Sequence, residues 1–172
     1  MQQTFSGIFR GRWSQPANAL SGRLVIEVEA LAFGMRHAVH AELKNEALQA
    51  IVLTSQPRCD AALLDSAGMP VPTAGLPSSG PAPVAHWATL PPEAYIGLRI
   101  DMRTVAIPTR ERGQALLAVG GQSWMLGAGT YELRVALTFG EQNDGAERQC
   151  DGAERQWRGT LDLPPVGFEV TV

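Results

Sequence analysis

The sequence predicts an all-β protein, a sandwich of two antiparallel sheets, and three observations support this prediction. Apolar and polar residues alternate with a period of two over several stretches, as in strands whose successive side chains point to opposite faces. Residues typical of turns separate these stretches. There is no series of amphipathic helices that could cover a parallel sheet. The length of 172 residues fits one domain, expected to span 1–172.

The clearest predicted strand is Tyr131–Phe139, with apolar side chains at every odd position and Glu132, Arg134 and Thr138 at even ones. The same alternation predicts three further strands, at Leu24–Ala30, Ile96–Met102 and Val166–Val172. Weaker patterns predict strands at Thr4–Arg10, Ala38–Leu43, Ala50–Thr54, Ala61–Asp65, Ala115–Val119 and Trp157–Leu163.

The strand Ile96–Met102 has a predicted apolar face and a predicted polar face. Ile96, Leu98, Ile100 and Met102 are expected to face the core, because they share the even positions. Arg99, Asp101 and Arg103 are expected on the opposite face.

A proline-rich segment, 68–92, is predicted to be a long extended loop across the sandwich. It holds seven of the twelve prolines of the chain. Proline has no backbone N–H to donate to a neighbouring strand, so this segment is not expected to contribute a central strand.

A duplicated heptad predicts a second long loop. The segment Asp144–Cys150 is followed directly by Asp151–Trp157, and six of the seven positions are identical. Seven residues inserted into a strand would shift its register and reverse its faces. We therefore expect a mobile loop at 140–156, where added length costs little.

Composition restricts the partners of the protein. The 17 acidic residues exceed the 14 basic ones, which argues against nucleic acid as a partner. No apolar run is long enough to cross a membrane. Thirteen of the basic residues are Arg, and this, with abundant Ala, Gly and Pro, is typical of a GC-rich bacterial genome. Met1 precedes no signal-like segment, so we expect a cytoplasmic protein if Met1 is the native start and an extracytoplasmic one if a leader was removed.

The sequence contains no recognisable catalytic, cofactor or metal motif, and we predict a protein that is not an enzyme. His37 and His40 are three residues apart in a strand and should face opposite ways, so they cannot bind one ion. Cys59 and Cys150 lie in no CxxC pair, and Cys150 belongs to the repeat, so neither a zinc site nor a disulfide is expected. The glycine pairs at 120–121 and 127–129 precede strands, which indicates hairpin turns rather than phosphate-binding loops.

The aromatic residues provide the candidate interaction surface. One or two of the four tryptophans should anchor the core. Trp13 is the best candidate for exposure, because it lies among charged and polar neighbours, and exposed Trp with Arg favours protein contacts. The residues predicted to form an interaction surface are Arg10, Arg12, Trp13, His86 and Trp87.

Several segments resemble bacterial immunoglobulin-like sandwich domains. Leu126–Val135 is similar to their L-x-P-G-T-Y-x-L-R strand start, with Ala128 in place of Pro. Trp157–Leu161 and Val166–Val170 resemble their closing hairpin, and Ala41–Asn45 and Leu63–Val71 resemble their upstream turns. The bacterial intracellular proteinase inhibitor family shares this style of sandwich. The resemblance implies an immunoglobulin-like fold and no catalytic residues.

These observations favour a non-catalytic binding module whose partner is a protein. A homodimer formed through an edge strand is one form of this prediction. One alternative is a proteinase inhibitor that presents a loop to a protease. The other is a hydrolase or metal-binding enzyme whose site forms only in the folded chain.

Overall fold

A computed structural model describes residues 6–31, 34–75, 86–106, 114–140 and 154–171. Within these ranges the chain forms strands and turns but no helix, so the all-β prediction is confirmed. The strands are β1 (Gly7–Arg10), β2 (Leu20–Leu31), β3 (Gly34–Asn45), β4 (Ala50–Thr54), β5 (Arg58–Asp65), β6 (Trp87–Leu90), β7 (Tyr95–Ala106), β8 (Ala115–Val119), β9 (Gln122–Leu126), β10 (Gly129–Phe139), β11 (Glu154–Gln156) and β12 (Gly159–Val170).

The described strands form four open sheets rather than two continuous ones. Their orders are β1-β2-β3-β7, β12-β10-β5, β11-β4-β6 and β8-β9. Neighbouring strands are antiparallel except β11 and β4, which run parallel. We call the four-stranded sheet the first sheet and the β12-β10-β5 sheet the second sheet.

The first and second sheets pack against each other through β2 and β12. A glycine in β2 permits this close approach: a Cβ atom on Gly22 would lie 2.7 Å from the side chain of Leu163 and 3.0 Å from that of Leu161. The inward-facing residues of both strands belong to one buried core, which also contains Trp124 and Trp157. The outer faces of the two sheets therefore point away from each other.

Two segments predicted to be loops contain short strands. Trp87–Leu90, within the segment 68–92, contains no proline and forms β6 against β4. Glu154–Gln156, within the segment 140–156, forms β11 on the other side of β4. Residues 76–85 and 141–153, the centres of the two predicted loops, lie outside the described residues.

The prediction for the two faces of Ile96–Met102 is wrong beyond Ile100. The register of β7 against β3 shifts there, because His40 is opposite Arg99 while Val39 is opposite Asp101. One extra residue in a strand reverses the faces of all those after it. Met102 is therefore 54% exposed. The Asp101 and Arg103 side chains are turned inward, with exposed fractions of 11% and 13%.

The short hairpin β8–β9 covers part of the inner face of the first sheet. Its strands are joined by Gly120 and Gly121, whose φ angles of 59° and 82° fit the two-residue turn expected there. All five residues of β8 are buried. The turn itself lies against β5, since a Cβ atom on Gly120 would lie 2.8 Å from the Sγ atom of Cys59.

Candidate interaction surface

A row of side chains crosses all four strands on the outer face of the first sheet. In register, Arg10 of β1 is opposite Val25 of β2, which is opposite His40 of β3. His40 is in turn opposite Arg99 of β7. Directly opposed residues project from the same face, and three strand spacings give the row a length of ~14 Å. We call Arg10, Val25, His40 and Arg99 the arginine row.

The bulge at Ile100 turns Asp101 away from the face that carries this row. It follows Arg99 directly, so Arg99 stays on the outer face beside His40 while Asp101 turns inward. Val25 is fully buried between its neighbours, whereas Arg10 and Arg99 are exposed. The row thus has an exposed cation at each end, with the buried Val25 and the half-buried His40 between them.

Trp13 lies on the same face, stacked on an arginine. Its side chain is 39% exposed. The guanidinium carbon of Arg23 lies 4.9 Å from the centroid of the Trp13 ring, within the range of a cation–π contact. Arg23 also forms an ion pair with Glu42, its partner on β3. The cation that contacts Trp13 is therefore Arg23 rather than Arg10 or Arg12.

Backbone hydrogen bonds hold the segment that carries Trp13 against β2. The Gly11 N–H donates to the Leu24 carbonyl at 2.8 Å, and the Ser14 N–H donates to the Gly22 carbonyl at 2.8 Å. Arg12 and Trp13 lie between these two anchors and are both exposed. The exposed aromatic ring is thus presented from a fixed backbone.

The arginines of this surface differ in their ion pairs. Arg23 pairs with Glu42, and Arg36 pairs with Glu29. Arg10, Arg12 and Arg99 form no ion pair among the described residues. The cations without an internal partner thus lie beside Trp13 and at the two ends of the arginine row.

His86 and Trp87, also predicted as part of the surface, lie elsewhere. Trp87 begins β6, the edge strand of the β11-β4-β6 sheet, and is half-buried. The His86 carbonyl accepts the Ser55 N–H at 2.7 Å, and its N–H donates to the Ser55 hydroxyl at 2.8 Å. The structure therefore does not join these two residues to Trp13. His40, Arg23 and Arg99 were not predicted as part of the interaction surface, because only strand pairing brings them together.

A second polar cluster is buried between the first sheet and β8. His37 is fully buried, and its Nε2 atom accepts the Ala118 N–H at 3.2 Å. The ion pair between Arg103 Nε and Asp101 Oδ1, 3.1 Å long, lies on the same inner face. Burial, more than the nearby Arg103, lowers the pKa of His37, while Asp101 opposes this change. At neutral pH the imidazole is therefore uncharged.

Cys59 borders this cluster as a free thiol. Burial raises its pKa to about 11, and the negative charges of Asp60 and Asp101 contribute in the same direction. At neutral pH the sulfur is thus protonated, and a thiol is a poor nucleophile and metal ligand. Across the described ranges, no three His, Cys, Asp or Glu side chains are arranged to hold a metal ion.

The residues that the structure describes include no apolar helix of the length that a bilayer crossing requires. No protein-family model, curated protein or solved structure matches the chain significantly.

Proposed function

We propose that the protein is a non-catalytic binding module that holds an acidic segment of a protein partner on the outer face of its first sheet. One observation carries this proposal: the face that presents the anchored and partly exposed Trp13 also carries Arg10 and Arg99, which form no ion pair among the described residues. Trp and Arg are enriched among the residues that dominate protein interfaces. Arg10 and Arg99 lie on paired strands and the Trp13 segment is anchored to β2, which lowers the ordering cost of binding.

An acidic partner fits the charges of this surface. Arg10 and Arg99 are ~14 Å apart, which corresponds to about four residues of an extended peptide. Each guanidinium can donate two parallel hydrogen bonds to a carboxylate. The exposed part of the Trp13 ring provides an apolar contact beside these positions.

We propose in addition that the fold is an immunoglobulin-like sandwich. The packing of β2 on β12 through Gly22 supports two layers built on the first and second sheets. In this arrangement the small β11-β4-β6 and β8-β9 sheets extend or cover the layers. The inhibitor and hydrolase alternatives stay predictions, and the centre of the proline-rich segment lies outside the described residues.

Binding of a defined acidic peptide tests the proposed function. The probe is a fluorescent eight-residue peptide of alternating Glu and Gly. A Lys-Gly peptide of equal length is the comparison, because Arg99→Gln should not weaken any binding of that peptide. We expect the acidic peptide to bind and Arg99→Gln to weaken its affinity about three- to fivefold, the effect of one exposed charge contact. Trp13→Ala should weaken it at least as much.

Arg36→Gln is the matched control, because it also removes one positive charge from the same sheet. Arg36 already pairs with Glu29, so its loss should leave the affinity nearly unchanged. Equal losses for Arg36→Gln and Arg99→Gln would show only a general charge effect and contradict the proposal. Tighter binding of a single-stranded oligonucleotide than of the peptide would point to nucleic acid instead.

A further inference from the structure

The outer face of the second sheet carries a groove of about 580 Å³. Its floor is formed mainly by Ala62 and Ala136. Small side chains at these positions leave the sheet surface open, while Pro165 and Gln122 border the groove. It lies on the far side of the molecule from the arginine row, because the inner faces of the two sheets pack together.

Two carboxylates face each other across this floor. Ala136 of β10 is opposite Asp60 of β5 and also opposite Asp162 of β12. All three side chains project from the same face, and two strand spacings separate the two aspartates by ~10 Å. At this level the floor of the groove is one residue wide, Ala136, with an aspartate on each side of it.

The two carboxylates differ in how they are satisfied. Asp60 forms an ion pair with Arg58, with 3.1 Å between Nε and Oδ2. Asp162 is exposed and has no ion-pair partner among the described residues. Arg134, the one cation among the lining residues, is directed to Glu132 at 2.7 Å. The charge of the groove that is open to a ligand is therefore negative.

We propose that this groove binds a lysine or arginine side chain from an extended segment of a partner protein. The methylene stem of such a side chain would lie on the two alanines. Its charged head would donate a charge-assisted hydrogen bond to the Asp162 carboxylate. The combination of an apolar floor and an acidic wall fits this class of side chain better than an acidic or purely apolar one.

This inference does not rest on the proposed function. The groove is on the second sheet and would take a basic segment, whereas the arginine row is on the first sheet and would take an acidic one. Loss of either site should leave the other unaffected, so each proposal can fail without the other.

The test uses the Lys-Gly peptide as the probe and amide NMR shifts of the isotopically labelled full chain as the readout. We expect the Ala62 and Ala136 signals to move on addition of the peptide and not on addition of its Glu-Gly counterpart. Asp162→Asn should weaken binding at least threefold. Ala136→Leu, which fills the floor without changing any charge, should abolish the shifts.

Glu169→Gln is the matched control, since Glu169 is also an exposed acid on the same face of β12 but does not line the groove. Thermal unfolding of each variant establishes that it is folded. Equal weakening by Asp162→Asn and Glu169→Gln, or full binding to folded Ala136→Leu, would overturn the proposal. The proposal would also be overturned if the chain self-associated without peptide and Asp162→Asn removed this self-association, because the occupant of the groove would then be a second copy of the chain.

Discussion

The imidazole of His37 joins two sheets through a single hydrogen bond, in which its Nε2 atom accepts the Ala118 N–H at 3.2 Å. Two residues earlier on β3, the Sδ atom of Met35 accepts the Leu116 N–H at 3.1 Å. Two side chains of β3 thus satisfy amides on the edge of β8 that pair with no strand. The Nδ1 atom of His37 is buried without a hydrogen-bond partner among the described residues.

This contact predicts a pH-dependent stability. Burial lowers the pKa of His37 in the folded chain below its ordinary value of about 6.5, so the unfolded chain binds more protons in the window just below pH 6.5. The stabilising contribution is therefore complete above about pH 6.5 and is lost as the pH falls through the folded-state pKa, with a slope of at most about 1.4 kcal/mol per pH unit. Protonation would also place a donor against the Ala118 N–H and a charge near Arg103.

Urea unfolding at several pH values between 5 and 8 measures this contribution. His37→Gln retains an acceptor but does not titrate, so its free energy of unfolding should depend less on pH in that range. His40→Gln, on the outer face of the same strand, should keep the natural dependence. If both variants keep it, His37 is not the group responsible.

Asn45 connects the first sheet to β4 and β6 from a fully buried position. Its Nδ2 atom donates to the Leu90 and Gln49 carbonyls, each at 2.9 Å. In the Asn45→Asp variant the side chain has only acceptor oxygens, so both carbonyls would lose their donor. We expect the free energy of unfolding to fall by about 2–3 kcal/mol or more. Asn18→Asp, the same change in an exposed turn, should cost little. Similar losses for the two variants would contradict this role of the buried amide.

Trp157 anchors the second copy of the duplicated heptad. Its ring is buried, packs edge-on against Phe139 at 5.3 Å between centroids, and donates its Nε1–H to the Asn18 carbonyl at 3.2 Å. Trp157→Ala should lower the free energy of unfolding by about 3–5 kcal/mol, as expected for a large buried ring. Trp157→Phe should cost less, because it retains part of the packing. Chemical denaturation of the two variants measures the difference.

The first copy of the heptad should be dispensable for stability. Deletion of residues 144–150 leaves Glu154–Gln156 and Trp157 in the sequence, and the length of a loop has a small effect on its closure entropy. We expect the melting temperature to change by no more than about 2 °C. Deletion of residues 151–157 joins Cys150 to Arg158 in place of Trp157 and should destabilise the chain strongly. Equal effects of the two deletions would contradict the assignment of the anchor to Trp157.

The turn between residues 17 and 20 contains a correctable strain. Asn18 and Ala19 have φ angles of 46° and 64°, and alanine is disfavoured in this left-handed region. Ala19→Gly should raise the free energy of unfolding by about 0.5–1 kcal/mol, the relief of strain less the added freedom of the unfolded chain. Ala67→Gly, in a turn without positive φ at that residue, should not stabilise. A melting temperature that falls for Ala19→Gly would refute this expectation.

The all-β class and most strand positions follow from the sequence alone, because alternation is a local property that burial imposes on each strand. The sequence also placed His37 and His40 on opposite faces, and it identified Trp13 as exposed and the Gly120–Gly121 turn. Each of these conclusions depends on neighbours close in the sequence.

The tertiary structure decided which strands meet and in what register, because pairing depends on residues distant in the chain. The bulge at Ile100 reversed the faces of Asp101 and Arg103 and left Arg99 beside His40. In a segment whose sequence is typical of a loop, β11 pairs with β4 and the following Trp157 is anchored by its hydrogen bond to the Asn18 carbonyl. The arginine row and the carboxylate-lined groove exist only because strand pairing aligns single residues from three or four separate segments.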